Sequence, residues 1–336
     1  MLGGAPALVM AVNRHASCQC SFSGSTTSSA NTARGWQFNS HGFAASSQHS
    51  REQLLQPEQI TSADPARLCA YLVHAYERYA PHSGELDLPE NLTLRFDTQA
   101  MYHEGAKLGL GSSAALTVAT LGVVHQLAGQ DGAELAQPEA FNIAHRAHQA
   151  SQGGVGSGLD IATSLNGGVI RFQNGQSQPI HWPAQLGFVF VYAGLPASTK
   201  ELVGRFNRWH NNSTPNALKQ LKLAASELAD GRINVDNLLH YTTALRTLDT
   251  VANIGIFSAE HLEVAQLAKR IGVVYKPCGA GGGDLGVAIS DQPELLAQFQ
   301  RKLRDEIRTQ TTTKSTLKNR LAIIDLELAP HGLTIG

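Results

Sequence analysis

Residues 107–113 read Lys107-Leu108-Gly109-Leu110-Gly111-Ser112-Ser113 and open directly into the apolar run AALTVATLGVVHQLAG, which ends at Gly129. The pattern reads as a loop feeding the N-terminus of a buried helix. The first turn of such a helix carries four unpaired backbone N–H groups and about half a positive charge. Glycines just ahead of it let the backbone wrap closely round an anion. Ser112 and Ser113 offer hydroxyls that either cap the helix or reach a magnesium ion, and Lys107 adds a positive charge at the mouth. Gly109, Leu110, Gly111, Ser112, Ser113 and Ala114 thus form a candidate cradle for nucleotide phosphates. The run is not GxxxxGK[ST], and it is not GxGxxG either, because Ala114 stands where the third glycine would be. A serine-capped helix after a glycine turn is the plain structural alternative.

Two further glycine runs lie downstream. In Gly156-Ser157-Gly158-Leu159-Asp160 a carboxylate follows small residues, which lets it approach a reacting group without obstruction. Asp160 is therefore a candidate general base, or a group that orients an acceptor or a metal. The alternative is an aspartate cap on a helix starting at Ile161. In Lys276-Pro277-Cys278-Gly279-Ala280-Gly281-Gly282-Gly283-Asp284, four of the five residues 279–283 are glycine. Such a backbone approaches something closely, and its N–H groups can close over phosphate oxygens or substrate. The alternative is a loose turn between strands at 273–276 and 285–289, with Asp284 as a turn residue. The stretch Pro196-Ala197-Ser198-Thr199-Lys200 follows a buried strand at 188–192 and offers two hydroxyls and an ammonium to an anionic group. It reads equally well as the cap of a helix over 200–209. His145 and His148 lie three apart on one helix with no carboxylate partner at ligand spacing, so they are not read as a metal site.

Working outward, 6–15 reads as a strand. The polar stretch 17–50 fits short edge strands and loops better than a packed helix. Residues 65–79 place Leu68, Tyr71, Leu72, Ala75, Tyr76 and Tyr79 on one helical stripe, with Asp64 and Pro65 as cap and first-turn proline. Residues 92–96 alternate like a half-buried strand, and a helix is expected over 138–149. Turn residues cluster over 174–183, which places a domain boundary there. Beyond it the expectation is helices at 216–230, 235–252, 258–271 and 294–308, with strands at 188–192, 273–276, 285–289 and 322–328.

The 336 residues carry 26 Lys+Arg against 27 Asp+Glu, a formal charge of −1, which excludes a strongly basic nucleic-acid binder or a polybasic membrane-surface protein. A hydrophobic share of 42% argues against wholesale disorder. The four cysteines, Cys18, Cys20, Cys69 and Cys278, form no CxxC pair, so reduced thiols and a cytoplasmic protein are the expectation. The most apolar helical stretch, 114–128, falls short of the ~20 apolar residues of a membrane span. The first residues lack a charged leader pattern.

Taken together and in this order, the three glycine runs resemble the GHMP kinase superfamily. KLGLGSSAALTV looks like its ATP-phosphate motif, and KPCGAGGGDLGVAI looks like its third motif. Within the superfamily, AHQASQGGVGSGLDIATSLNGGVIRF resembles the AHxxAQGKxGSGxD pattern of the phosphomevalonate kinase family, as do PASTKELV and GAGGGDLG. The resemblance covers the chain from Gly3 to about Leu326. It implies an α+β, two-domain fold. Residues 1–180 would be an ATP-binding domain like ribosomal protein S5 domain 2, and 181–336 a ferredoxin-like α/β sandwich. It implies transfer of the ATP γ-phosphoryl group to 5-phosphomevalonate, with Mg2+ and ATP as cofactors, by a monomer or homodimer without nucleic-acid or membrane partners.

The site residues it implies are Asp160 and Lys107 for catalysis, 109–114 for the nucleotide and Ser112 or Ser113 for the metal. Ser157, Gly158, Ser198, Thr199, Lys200, Gly279, Ala280, Gly281 and Gly282 are implied for the acceptor. Three departures bear on this. A strand with a proline-glycine-lysine motif usually precedes the GGAPAL segment, whereas this chain begins at Met1-Leu2-Gly3-Gly4. Gln149 stands eleven residues before Asp160, where mevalonate kinases carry an acidic metal ligand, and Gly154 replaces the lysine of QGK. The alternatives are mevalonate kinase, the pathway decarboxylase, another small-molecule kinase of the superfamily, or a nucleotide- or metabolite-binding protein without catalysis.

Overall fold

The computed structural model describes residues 4–22, 35–40, 46–80, 86, 88–129, 135–154, 156–194, 198–211, 216–312 and 321–336. The chain forms two compact units, and neither is one continuous segment. The first comprises 1–13, 103–110 and 169–328, and the second comprises 14–102, 111–168 and 329–336. This differs from two consecutive halves meeting near 174–183. Asn174 and Gly175, both with positive φ, instead make the two-residue turn of a hairpin inside the first unit. Asn-Gly is the preferred sequence for such a turn, because both residues tolerate the left-handed region.

The second unit is built on a four-stranded sheet in the order Ser17–Phe22, Leu92–Asp97, Trp36–Ser40, Ser47–His49. Leu92, Leu94 and Phe96 point into the core while Arg95 and Asp97 face out, the alternation a half-buried strand requires. The stretch 17–50 does supply strands, but Trp36–Ser40 is not an edge. It pairs parallel with Leu92–Asp97 and antiparallel with Ser47–His49, and Trp36 and Phe38 are fully buried. The helices Ala66–Tyr79, Ser112–Leu127, Gln137–Ser151 and Leu159–Asn166 complete this unit. Their residues Leu72, Leu121 and Ile143 share one core with the sheet. Asp64 caps the first of them by accepting the Ala66 N–H at 2.8 Å, and it also accepts from Ser47 Oγ at 2.6 Å.

The two larger sheets of the first unit have three and four strands. In one, Val169–Gln173 lies between Ala7–Met10 and Gln176–Pro179. The other is fully antiparallel, in the order Val274–Pro277, Leu285–Ser290, Gly187–Tyr192, Ala322–Ile324. All six residues of Leu285–Ser290 are buried, which is why that segment reads as a continuous apolar run. The helices Ala259–Ile271 and Pro293–Thr312 cover this sheet, as an α/β sandwich requires. The helices Thr199–His210, Asn216–Ala229 and Val235–Ala252 enclose a separate apolar cluster with Ile254, Ile256 and Phe257.

Candidate active site

In the second unit, helix Ser112–Leu127 begins at Gly111, whose φ of +75° is the left-handed conformation that glycine adopts without strain. A Cβ at Gly111 would stand 3.2 Å from both Cβ and Cγ of Asp160, so the aspartate lies directly against the start of this helix. Ser112 is buried. Ser113 Oγ is hydrogen-bonded to His148 Nε2 at 3.0 Å, and Thr117 donates to the Ser113 carbonyl at 2.7 Å. The helix is apolar all round because packing covers it on most sides, with Ala114, Val118, Leu121 and Val124 all within the core.

The Gly156–Asp160 loop is pinned from the preceding helix. The carbonyl of Gly156 lies 2.9 Å from Gln149 Nε2, which donates to it, and 3.2 Å from His145 Nε2. Gly158 is the cap of helix Leu159–Asn166, with φ +80°, and a Cβ there would meet Phe141 Cζ at 2.8 Å. Asp160 is thus not the cap of a helix starting at Ile161. It is the second residue of a helix that starts at Leu159, and its side chain is turned to Gly111. Ser157 Oγ accepts the Leu159 N–H at 3.4 Å.

In the first unit, Lys107 ends the strand Ala106–Lys107 and is exposed, and Leu108 is buried in that unit's core. Gly109 has φ +74°, and a Cβ on it would lie 2.5 Å from Asp284 Oδ2. The third glycine run is not loose. Gly282 N–H donates to the Ile256 carbonyl at 2.7 Å, and Gly281 N–H donates to Cys278 at 3.1 Å. A Cβ at Gly281 would meet the Ile256 carbonyl at 2.5 Å, and one at Gly282 would meet Leu202 Cδ1 at 2.9 Å. Asp249 holds the facing turn, accepting from the N–H groups of Gly255, Ile256 and Phe257 at 2.8–2.9 Å. Two amides of the run therefore serve protein carbonyls rather than a ligand. Ser198 caps helix Thr199–His210 by accepting the Glu201 N–H at 3.3 Å, while Thr199 and Lys200 are exposed. Pro196 and Ala197 lie outside the described residues.

Fully buried His261 buttresses the same loop, bonding Tyr275 Oη at 2.8 Å and the Gly283 carbonyl at 2.9 Å. A carbonyl only accepts, so Nε2 carries the proton and Nδ1 accepts from the tyrosine hydroxyl. Burial lowers the His261 pKa against the opposing pull of that carbonyl. Burial likewise pushes the neighbouring Cys278 thiol up, with Lys276 opposing.

The glycine spacing that marks Asp160 as a candidate has no counterpart at His148 and His261, whose bonded partners lie 14 or more residues away, or at Asp249, which holds a turn six to eight residues on. Asp284 is adjacent to a glycine run, and its position after Gly283 is the signal that could have marked it. All four cysteines are free thiols. Among the described residues, no three His, Cys, Asp or Glu gather as a metal site, and no helix is long and apolar enough to cross a membrane. The donors near the helix start, a carboxylate and two hydroxyls, suit Mg2+ that arrives with a polyphosphate, which binds through few protein ligands.

Residues 70–168 match the family model of the GHMP kinases N terminal domain. The chain is 28% identical over 324 residues to a phosphomevalonate kinase from Streptomyces, covering 86% of this chain and 84% of that one. It is 28% identical over 228 residues to the mevalonate kinase of Pyrococcus horikoshii, covering 65% and 66% of the two. A solved structure of Streptococcus pneumoniae phosphomevalonate kinase in complex with phosphomevalonate and AMPPNP superposes with a TM-score of 0.71 at 16% identity, covering 97% of this chain and 93% of that one. Residues 70–168 thus carry the signature of the GHMP kinases N terminal domain, and the chain shares its fold with the solved phosphomevalonate kinase.

Proposed function

We propose that this phosphotransferase moves the ATP γ-phosphoryl group onto the phosphate of 5-phosphomevalonate, giving 5-diphosphomevalonate and ADP, and that it works in the cytoplasm. The observation that carries the reading is the Asp160 carboxylate set against Gly111 at the start of helix Ser112–Leu127. A helix N-terminus for polyphosphate and a carboxylate for the metal or acceptor then stand side by side. Similarity to the Streptomyces phosphomevalonate kinase along most of both chains supports the choice of acceptor.

In this reading the amides of 109–113 hold the nucleotide phosphates, and Ser112 or Ser113 ligates the cation. Lys107 neutralises charge near the transferred group, and Asp160 orients acceptor or metal. Ser157 and Gly158 in the second unit, and Ser198, Thr199, Lys200 and 279–282 in the first, are the candidates for the acceptor; for Gly281 and Gly282 that role is one of loop shape, because their amides are bonded within the protein. Mg2+ held at Ser112 or Ser113 would supply charge neutralisation to the nucleotide phosphates. An oxygen of the acceptor phosphate attacks the γ-phosphorus, and the bond to the β,γ-bridging oxygen breaks with its electron pair leaving on ADP. A phosphate monoester, with its second pKa near ~6, is mostly dianionic at neutral pH and requires no base. The residues have only to align charges.

The neutral Gln149 amide, committed to the Gly156 carbonyl, favours this acceptor over mevalonate. ADP release assayed across 5-phosphomevalonate, mevalonate, homoserine and galactose tests the assignment. Turnover with 5-phosphomevalonate alone is expected. Turnover with mevalonate and none with 5-phosphomevalonate overturns it, and carbon dioxide release from diphosphomevalonate would assign the decarboxylase instead.

A further inference from the structure

The third glycine run ties down some of its amides and leaves others open. Gly281 and Gly282 donate to the Cys278 and Ile256 carbonyls, whereas Gly279, Ala280 and buried Gly283 donate to no protein group among the described residues. A buried N–H without an acceptor is rare in a folded protein, and amides in a glycine turn of this kind suit an anionic oxygen. The peptide units before and after the one bearing the Gly283 N–H are both fixed. The Gly282 N–H is held by the Ile256 carbonyl at 2.7 Å, and the Gly283 carbonyl is held by His261 Nε2 at 2.9 Å. His261 is the third residue of helix Ala259–Ile271, whose cap Ser258 accepts its N–H at 3.3 Å. Its ring is fully buried, so it reaches a ligand only through the loop. Its other nitrogen, Nδ1, meets Tyr275 Oη at 2.8 Å. Burial first, then Cys278, pushes the Tyr275 hydroxyl well up, so it stays protonated and donates. A Cβ at Gly286 would strike that hydroxyl, so a glycine makes the room for it. Burial also holds the imidazole below its usual pKa, with Lys276 acting in the same direction and the Gly283 carbonyl and Glu260 against it. A donor on one side and a carbonyl on the other leave a single neutral tautomer that satisfies both nitrogens.

We infer that His261 is a positioning residue for the acceptor: locked by Tyr275 as the Nε2–H tautomer, it fixes the Gly283 carbonyl and so presents the Gly283 N–H, with those of Gly279 and Ala280, to an anionic oxygen of the acceptor. The inference rests on the reading of 279–282 as an acceptor contact and adds Gly283 to it. It lies wholly within the first unit. His261 does no proton transfer in this role. It acts through one hydrogen bond on a backbone whose glycines would otherwise sample many conformations.

The test uses the full chain and steady-state kinetics in which 5-phosphomevalonate and Mg·ATP are varied in turn. His261→Leu is expected to raise KM for 5-phosphomevalonate about tenfold, the order of one buried hydrogen bond, while kcat and KM for Mg·ATP move by less than about twofold. His261→Gln carries an amide nitrogen as many bonds from the backbone as Nε2, and should return the acceptor KM to within about threefold of wild type. Tyr275→Phe removes the donor that selects the tautomer and should raise the same KM about threefold, which keeps the test open if His261→Leu does not fold. Nitrogen-15 NMR of the wild type should show His261 neutral at neutral pH, with its proton on Nε2. The opposite tautomer overturns the inference. So does a glutamine variant as poor as the leucine one, or no shift in the acceptor KM. Both KM values and kcat moving together would make His261 a purely structural residue and overturn it as well. Wild-type protein that turns over ATP with another acceptor and not with 5-phosphomevalonate refutes the acceptor reading and the inference with it, a failure visible before any variant is made.

Discussion

At Asp160 the structure separates two roles that the sequence leaves equivalent. The cap of helix Leu159–Asn166 is Gly158, so the carboxylate is not needed to begin that helix. Asp160→Asn should therefore cut turnover by at least about a hundredfold while the melting temperature moves by less than about 2 °C, the pattern of an electrostatic role. Turnover within threefold of wild type removes Asp160 from the site. Ser113 shares its hydroxyl with His148, which fixes the rotamer. Ser113→Ala should raise KM for Mg·ATP with kcat less affected. An unchanged KM leaves the metal to Ser112.

Asp64 gives a pH prediction at the same scale. Burial works to raise its pKa, but hydrogen bonds from Ser47, the Ala66 N–H and His49 outweigh that and hold it below the usual carboxylate value of 3.8. A carboxylate whose folded pKa is depressed contributes stability above its unfolded pKa and loses it as pH falls through the folded pKa. Denaturant titrations from pH 5 down to pH 2 should show wild type losing more stability than Asp64→Asn. Parallel curves would deny Asp64 that part.

At the scale of elements, the glycine runs owe their composition to more than ligand access. Gly281 combines φ +76° with a space closed by the Ile256 carbonyl, and the turn bearing that carbonyl is tied to Asp249. Gly281→Ala should destabilise the protein by about 3 kcal/mol, from backbone strain plus a clash that no side-chain rotation relieves. A loss below about 1 kcal/mol in urea titration would show that the loop yields.

Long elements were legible in the sequence because a single periodicity runs through them. Ala66–Tyr79, Val235–Ala252 and the buried strand Leu285–Ser290 lie within a residue or two of where their apolar spacing puts them. Trp36–Ser40 lies inside its sheet although its polar setting reads as peripheral, since two aromatics in a polar stretch do not reveal which strands will flank them. The hairpin at Asn174-Gly175 carried a clear turn signal, but a turn marks a change of direction and not a change of domain. Around the candidate site, contiguous runs could be read, whereas the tertiary partners His148, Asp249 and His261 could not.

At the scale of the whole molecule, the chain leaves one compact unit and re-enters it more than once, so a cut near 180 would part Val12 from its bridge partner Leu328, both of the first unit. The absence of a clustered metal-ligating set among the described residues gives a matching expectation for metal removal. If, as proposed, the cation enters with the nucleotide, excess chelator should abolish turnover yet leave the melting temperature within about 1 °C. A large fall in melting temperature on chelation would reveal a resident ion.

The account depends most on where the nucleotide sits. A crystal structure with AMPPNP and Mg2+ should show phosphate density against the backbone of residues 109–113, with the cation beside Ser112 or Ser113. Well-ordered nucleotide elsewhere, with residues 107–114 left bare, would contradict it.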